Sequence, residues 1–315
     1  MNNRLIIISI VGFGNVGRAI THQLISTNDY QSIIINIIDP SDAIEGSYLD
    51  LIHASMFNCN CTIKQNDKGL FNKSNYIFHC AGASVPKNGD RLSVLKETAN
   101  ITNEVFQGFS PTTKTRIIVV ANPVDIICCQ IYQLTKSYKN VVVIGTGTLL
   151  DTIRMKYYLS INSKYNPKDI SPLILGEHGR SMVLLTSNSF IHGNKICAVL
   201  SNQIIEKALT QTFETASEIE KTQGATYYAV AYCAIEIMNS LLSNSKRHII
   251  TSFLIPKEIQ NLLNCSPVYM SIPTIIFKDT VTLNLNKFNP NNEDVQALKK
   301  SAMVLEENIR LLIQN

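Results

Sequence analysis

The most constraining stretch of this chain lies at its start. Leu5–Val11 is an unbroken apolar run rich in isoleucine, as expected of a parallel strand buried on both faces. It leads directly into Gly12-Phe13-Gly14-Asn15-Val16-Gly17, and Arg18–Ile25 then follows an amphipathic helical pattern. In such a unit the first glycine permits a tight turn, the second lets the backbone approach a pyrophosphate, and the third lets helix and strand pack closely. The helix N-terminus offers free N–H donors and the positive end of a dipole to phosphate. A second apolar run, Ile33–Ile38, ends at Asp39, 22 residues beyond Gly17. A carboxylate there can bond both hydroxyls of a ribose and repels a 2′-phosphate, which favours NAD over NADP. Asp39 also reads as a simple turn residue before Pro40; the order strand, glycines, helix, strand, acid favours the cofactor reading.

Further strands are expected at Tyr76–Ala81, Ile117–Ala121 and Val141–Ile144. They end at Gly82, at Asn122-Pro123 and at Gly145-Thr146. Ligands of open α/β sheets sit outside such carboxyl ends. The candidate cofactor contacts are therefore Gly12, Gly14, Val16, Gly17, Asp39, Ala81, Gly82, Ala121, Asn122 and Thr146. The alternation predicts a Rossmann-type doubly wound parallel sheet over residues 1–145, an NAD-binding domain, followed by an α+β substrate domain over 146–315.

The second half turns on Leu175-Gly176-Glu177-His178-Gly179-Arg180-Ser181. A histidine between two glycines, after the apolar run Pro172–Leu175, is well placed to exchange a proton near neutrality. A structural turn histidine has the same local sequence. Asp151 and Arg154, three apart on a helix expected to begin near Thr148, share a face. They read either as a surface ion pair or as an inward-facing pair, with Asp151 fixing the tautomer of His178 and Arg154 gripping a carboxylate. Between the halves, Ala83–Asp90 lacks periodicity and reads as a loop able to close over a substrate, with Arg91 starting the next helix. An arginine there is otherwise a solvated helix-start residue.

Composition excludes several classes. The net charge is +4, and Lys and Arg are scattered rather than clustered, so a nucleic-acid surface is not expected. No apolar run is long enough to span a bilayer. The chain enters a strand at once, so no secretory leader is expected, and a cytoplasmic location is. None of the eight cysteines forms a Cys-x-x-Cys pair; Cys59 and Cys61 alternate along an expected strand. Reduced thiols and no metal are expected.

Taken in order, these motifs resemble the NAD-dependent L-lactate/L-malate dehydrogenase family, nearer its lactate branch. The resemblance rests on the glycine turn at Gly12–Gly17, Ala81-Gly82-Ala83, Asn122-Pro123-Val124-Asp125, Leu150-Asp151-Thr152-Ile153-Arg154, Gly176-Glu177-His178-Gly179, Gly224-Ala225-Thr226-Tyr227-Tyr228 and Tyr269-Met270-Ser271-Ile272-Pro273. It implies an NAD-dependent L-2-hydroxyacid dehydrogenase that interconverts pyruvate and L-lactate. His178 would be the acid/base, Asp151 its partner and Arg154 the carboxylate clamp. Arg91 would polarise the carbonyl, Asn122 would help to hold the substrate, and Thr226 would line its pocket. A homodimer or homotetramer is implied as well.

The chain departs from the family in three places. The position six before the loop arginine, which selects the substrate side chain, is Val85 rather than Gln or Arg. An apolar residue offers no partner to a second carboxylate, so a monocarboxylic keto acid is expected, although Lys87 in the same loop could meet one. Arg180 stands where the family has Asp. Asp169–Pro172 contains no histidine, so activation by fructose 1,6-bisphosphate is not expected. The alternatives are a malate dehydrogenase, a branched-chain L-2-hydroxyacid dehydrogenase and, more remotely, a non-catalytic NAD-binding protein.

Short strands at Met182–Thr186 and Lys195–Val199 are predicted around the turn His192-Gly193-Asn194, with His192 at the surface. Helices are predicted at Ser201–Gln223 and Ala225–Ser240, strands at His248–Leu254 and Thr274–Phe277, and a closing amphipathic helix at Asp294–Gln314.

Overall fold

The computed structural model describes residues 5–27, 32–58, 60–83, 91–278 and 280–313. Val85 and its neighbours Ser84, Pro86 and Lys87, as well as Cys59, lie outside the described residues. Residue contacts divide the chain into two compact units, Met1–Gly145 with Tyr227–Met238, and Thr146–Thr226 with Asn239–Asn315. The later segment Tyr227–Met238 clusters with the first unit.

The first unit alternates strand and helix: β1 (Leu5–Val11), α1 (Asn15–Ser26), β2 (Ser32–Ile38), α2 (Glu45–Ser55), β3 (Cys61–Gln65), α3 (Lys68–Asn72), β4 (Tyr76–His79), α4 (Arg91–Phe106), β5 (Thr115–Val119), α5 (Val124–Thr135) and β6 (Val141–Gly145). The strands run parallel in the order β3-β2-β1-β4-β5-β6. The sheet is fully buried at Ile8, Ile10, Ile35, Ile37, Ile77, Ile117 and Ile118, which is why its strands read as continuous apolar runs rather than alternating ones. The strand order reverses between β1 and β4, and the glycine turn follows β1 at that point. Close packing requires its glycines. A Cβ on Gly12, which has φ +85°, would lie 2.5 Å from the Ala81 backbone nitrogen, and one on Gly17 would lie 2.2 Å from the Gly12 carbonyl oxygen.

The second unit begins with α6 (Leu149–Ile161), then β7 (Ile170–Ser171), β8 (Ile174–Leu175), β9 (Val183–Leu184), β10 (Phe190–Ile191), β11 (Asn194–Lys195), α7 (Ile196–Val199) and α8 (Asn202–Gln223). The helix α9 (Tyr228–Leu242) clusters with the first unit as far as Met238. The second unit resumes with β12 (Arg247–Leu254), α10 (Lys257–Leu263), β13 (Tyr269–Phe277), β14 (Thr280–Leu283) and α11 (Asn292–Ile313). β12, β13 and β14 form an antiparallel meander. A core of Met155, Leu159, Ile170, Ile174, Met182, Ile191, Ile196, Ile205 and Ala208 joins α6 and α8 to the short strands. The closing helix buries Leu298, Ala302 and Leu305 along one stripe, as its spacing predicts.

The expected strand at Lys195–Val199 is corrected here: only Asn194–Lys195 is extended, and Ile196–Val199 is a helical turn. The cause is the hairpin turn. His192 (φ +49°) and Gly193 (φ +79°) are both left-handed, the signature of a two-residue turn that pairs Phe190 with Lys195 and Ile191 with Asn194. The Met182–Thr186 candidate shortens to Val183–Leu184, whose partner is β8. His192 is exposed, as expected, with Nε2 3.7 Å from Asp169.

One buried histidine sets an acid limit on the first unit. His79 is fully buried at the end of β4, with Nε2 3.0 Å from Thr102 Oγ1, and Thr102 Oγ1 itself donates to the Thr98 carbonyl. Nδ1 has no hydrogen-bond partner among the described residues. Burial pushes the imidazole pKa down to about 4. Between pH 6.5 and about 4 the unfolded chain takes up a proton that the folded chain does not, so stability falls as pH falls through that window. The expected loss is up to about 3 kcal/mol. Urea unfolding across this range should show it for the wild type, with a flatter dependence for His79→Gln; equal slopes would contradict the assignment.

Candidate active site

Asp151 lies on the first turn of α6, and His178 lies on the turn that follows β8. Both belong to the second unit. His178 Nδ1 is 2.7 Å from Asp151 Oδ2. Arg154 Nη1 donates to Asp151 Oδ1 at 3.4 Å. Exposure decides between the two readings of the Asp151–Arg154 pair, because the Arg154 side chain is only 12% exposed and that of Asp151 6%. This is a buried cluster rather than a surface ion pair. His178 keeps 26% of its side-chain surface open.

The electrostatics of Asp151 assign the protons. Burial by itself raises a carboxyl pKa, but the imidazole of His178 and the guanidinium of Arg154 outweigh it and hold Asp151 below its ordinary range. An ionised carboxylate can only accept, so Nδ1 of His178 is the donor. The proton-exchanging nitrogen is therefore Nε2, the arrangement in which a carboxylate orients an imidazole and stabilises its charged form.

The glycines around His178 follow from space. Gly176 has φ +94°, and a Cβ there would lie 2.6 Å from Ser301 Oγ of α11. A Cβ on Gly179 would lie 2.9 Å from the Glu177 carboxylate. Glu177 folds back to accept from the Ser181 backbone N–H at 3.2 Å and from its hydroxyl at 2.5 Å. The Glu177 backbone N–H donates to Ser301 Oγ at 2.8 Å. Sequence reasoning missed Ser301 and this lock. The one available signal was a serine beside the buried apolar stripe of Leu298, Ala302 and Leu305. Arg180 is exposed.

In the first unit, Asp39 stands at the end of β2, where its Oδ2 accepts from the Phe13 backbone N–H at 2.8 Å and its Oδ1 from Ser41 N–H at 2.9 Å. Asn66, itself left-handed at φ +51°, clasps the Asp39 backbone with two bonds of 3.0 Å. A carboxylate has about four acceptor sites, so Asp39 retains lone pairs for sugar hydroxyls. A Cβ on Gly14 would meet nothing within 4 Å, and no side chain caps the start of α1 at Gly14, Asn15, Val16 and Gly17. Open space over an uncapped helix start suits a dinucleotide pyrophosphate, so these residues fit the cofactor. Ala81 and Gly82 follow β4, and Ala121 and Asn122 follow β5. Asn122 is exposed and Ala121 buried. Arg91 opens α4, and its side chain lies outside the described residues. In the second unit, Thr146 is buried after β6, and Thr226 is half-buried between α8 and α9.

Asp151→Asn removes the buried charge that both His178 and Arg154 use. At neutral pH it is expected to cost on the order of 3 kcal/mol, the penalty for breaking a buried pair. The depressed Asp151 pKa makes its contribution complete above about pH 4 and lost as pH falls through the lower folded value. Urea unfolding of wild type and variant should therefore differ most at neutral pH and converge in strong acid. A gap that persists unchanged in acid would contradict this.

Two family descriptions match the chain. Residues 6–145 match the lactate/malate dehydrogenase NAD-binding domain, and residues 148–314 match the lactate/malate dehydrogenase alpha/beta C-terminal domain. An L-lactate dehydrogenase of Acetivibrio thermocellus is 30% identical over 99% of this chain and 99% of that protein. The fold is shared with a lactate dehydrogenase from a Medee basin deep-sea metagenome library (TM-score 0.85, 24% identity, 98% and 99% of the two chains). It is equally shared with the malate dehydrogenase of Picrophilus torridus (TM-score 0.83, 24% identity, 98% of each chain).

Proposed function

This chain belongs to the lactate/malate dehydrogenase family, and on that premise we propose that it is an NAD-dependent L-2-hydroxyacid dehydrogenase of the lactate type, interconverting pyruvate and L-lactate. The observation that carries the catalytic reading is the buried Asp151 carboxylate, bonded to His178 on one oxygen and to Arg154 on the other. The domain reading assigns the cofactor to residues 1–145 and the substrate to residues 146–315.

When bound, the nicotinamide supplies the hydride. The protein supplies orientation, charge and the proton. In reduction, His178 Nε2 gives its proton to the keto oxygen as negative charge develops there; in oxidation it takes that proton back. Asp151 holds the Nδ1 proton throughout and stabilises the imidazolium, a term that is stronger in the transition state than in the ground state. Arg154 has five donors and spends one on a long bond to Asp151, so a planar pair remains for the substrate carboxylate. Arg91, Asn122, Thr226 and Val85 take their roles from the family resemblance: Arg91 would polarise the carbonyl, Asn122 would help to hold the substrate, Thr226 would line its pocket, and Val85 would select its side chain. Gly14 and the start of α1 receive the pyrophosphate, and Asp39 receives the ribose.

Val85 supports a monocarboxylic substrate over oxaloacetate, because a second carboxylate needs a charge partner. The malate reading stays as the alternative, with a solved malate dehydrogenase equally close in fold. No described helix is long and apolar enough to cross a membrane. The proposal includes a cytoplasmic homodimer or homotetramer, an association supported by Met56 and Phe57, which are 68% and 96% exposed at the end of α2.

The test is NADH oxidation against pyruvate, 2-ketobutyrate, 2-ketoisocaproate and oxaloacetate. Pyruvate should be turned over fastest; fastest turnover of oxaloacetate would overturn the lactate reading in favour of malate. Arg154→Lys exchanges a fork for a point charge, so it should raise the KM for pyruvate on the order of 100-fold with NADH affinity unchanged. An unaltered KM would remove Arg154 from the substrate site.

A further inference from the structure

Asp151 and His178 sit on separate pieces of chain, and neither piece sets the distance between them. Ser271 of β13 touches both. Its Oγ accepts from the Thr148 backbone N–H at 2.8 Å, a donor at the start of α6 that has no partner within the helix. Its backbone exchanges two hydrogen bonds with Gly176, Gly176 N–H to Ser271 O at 3.1 Å and Ser271 N–H to Gly176 O at 2.8 Å. One buried residue thus holds the helix that carries Asp151 and the turn that carries His178.

The surroundings are built for that hydroxyl. A Cβ on Gly147, at φ +50°, would lie 2.3 Å from Ser271 Oγ and 2.8 Å from the Ser252 backbone nitrogen. Only glycine at 147 leaves room for the contact. Thr148, just before α6, and Thr152 within it add ties to the strand before the histidine: Thr148 Oγ1 donates to Ile174 O at 2.6 Å, and Ile174 N–H donates to Thr152 Oγ1 at 3.3 Å. Thr148 is fully buried. Among the described residues, Asp151 bonds His178 from α6 and is itself bonded by Arg154, Glu177 in the histidine's own turn is engaged by Ser181, and Arg180 is exposed.

We infer that Ser271 is a positioning residue for the acid–base pair, anchoring the start of α6 and the histidine turn to one point on β13, with Thr148 as the second tie. The inference deepens the dehydrogenase reading and rests on it for its kinetic consequence. Its geometric consequence stands apart, since the anchor sets the His178–Asp151 bond whether or not a substrate is turned over. Misplacing a reacting group by about 1 Å can cost on the order of 100-fold in rate.

The experiment uses the full chain as wild type, Ser271→Ala, Thr148→Val and Thr148→Ser. Proton NMR follows the downfield Nδ1–H signal of the carboxylate-bonded imidazole, assigned by its disappearance in His178→Gln. Steady-state kinetics with NADH and pyruvate separate kcat from KM, and fluorescence gives NADH affinity. Ser271→Ala and Thr148→Val should broaden or abolish the Nδ1–H signal and lower kcat by about tenfold or more, with NADH affinity unchanged. Thr148→Ser keeps the hydroxyl and should restore both. If Ser271→Ala does not fold, the threonine pair carries the test. Folded variants with a wild-type Nδ1–H signal and wild-type kcat would overturn the inference. A wild type that turns over no keto acid would refute the dehydrogenase reading alone, since the NMR comparison still reports on the anchor.

Discussion

The chemistry of this protein depends on the hydrogen bond from His178 Nδ1 to Asp151 Oδ2 at 2.7 Å. It determines the tautomer, and the tautomer determines which nitrogen can serve a substrate. The bond itself depends on Asp151 remaining ionised while almost wholly buried, which is unfavourable for an isolated carboxylate. Two cationic or proton-donating neighbours offset that cost, and the depressed Asp151 pKa expresses the balance. Much of the second unit reads as support for this contact: the left-handed Gly176, the Glu177–Ser181 lock, Ser301 on the closing helix and Ser271 on β13.

The first unit solves a different problem with the same economy of means. Its isoleucine-rich strands bury both faces, so the polar work falls to their carboxyl ends. There Gly12 and Gly17 are required by backbone contacts closer than 3 Å, whereas Gly14 faces open space. Three glycines in one motif thus meet three different demands. Asp39 is fixed by bonds to Phe13, Ser41 and Asn66, and Asn66 comes from the end of another strand.

What could be read from the sequence follows from range. The parallel strands, the glycine turn, Asp39 and the triad members Asp151, Arg154 and His178 are marked by local patterns. Burial of the Asp151–Arg154 pair was not legible, because spacing on a helix gives the shared face but not what covers it. The anchoring roles of Ser271 and Ser301 were not legible for a related reason. Their bonds to Thr148 and Glu177 span 123 and 124 residues, and a lone serine carries no periodic signal. The hairpin misled in the opposite direction. Lys195–Val199 has a strand-like composition, yet the two left-handed residues His192 and Gly193 close a two-residue turn and place Phe190–Ile191 opposite Asn194–Lys195. Turn geometry fixed the register there, and side-chain propensity did not.

The most direct test of the account is a crystal structure with NADH and oxamate, an unreactive analogue of pyruvate. The account predicts the carboxylate in two parallel bonds to Arg154 and the neighbouring carbonyl oxygen within hydrogen-bond distance of His178 Nε2, with Nδ1 still on Asp151. Oxamate bound away from Arg154, or His178 turned so that Nε2 faces Asp151, would contradict it.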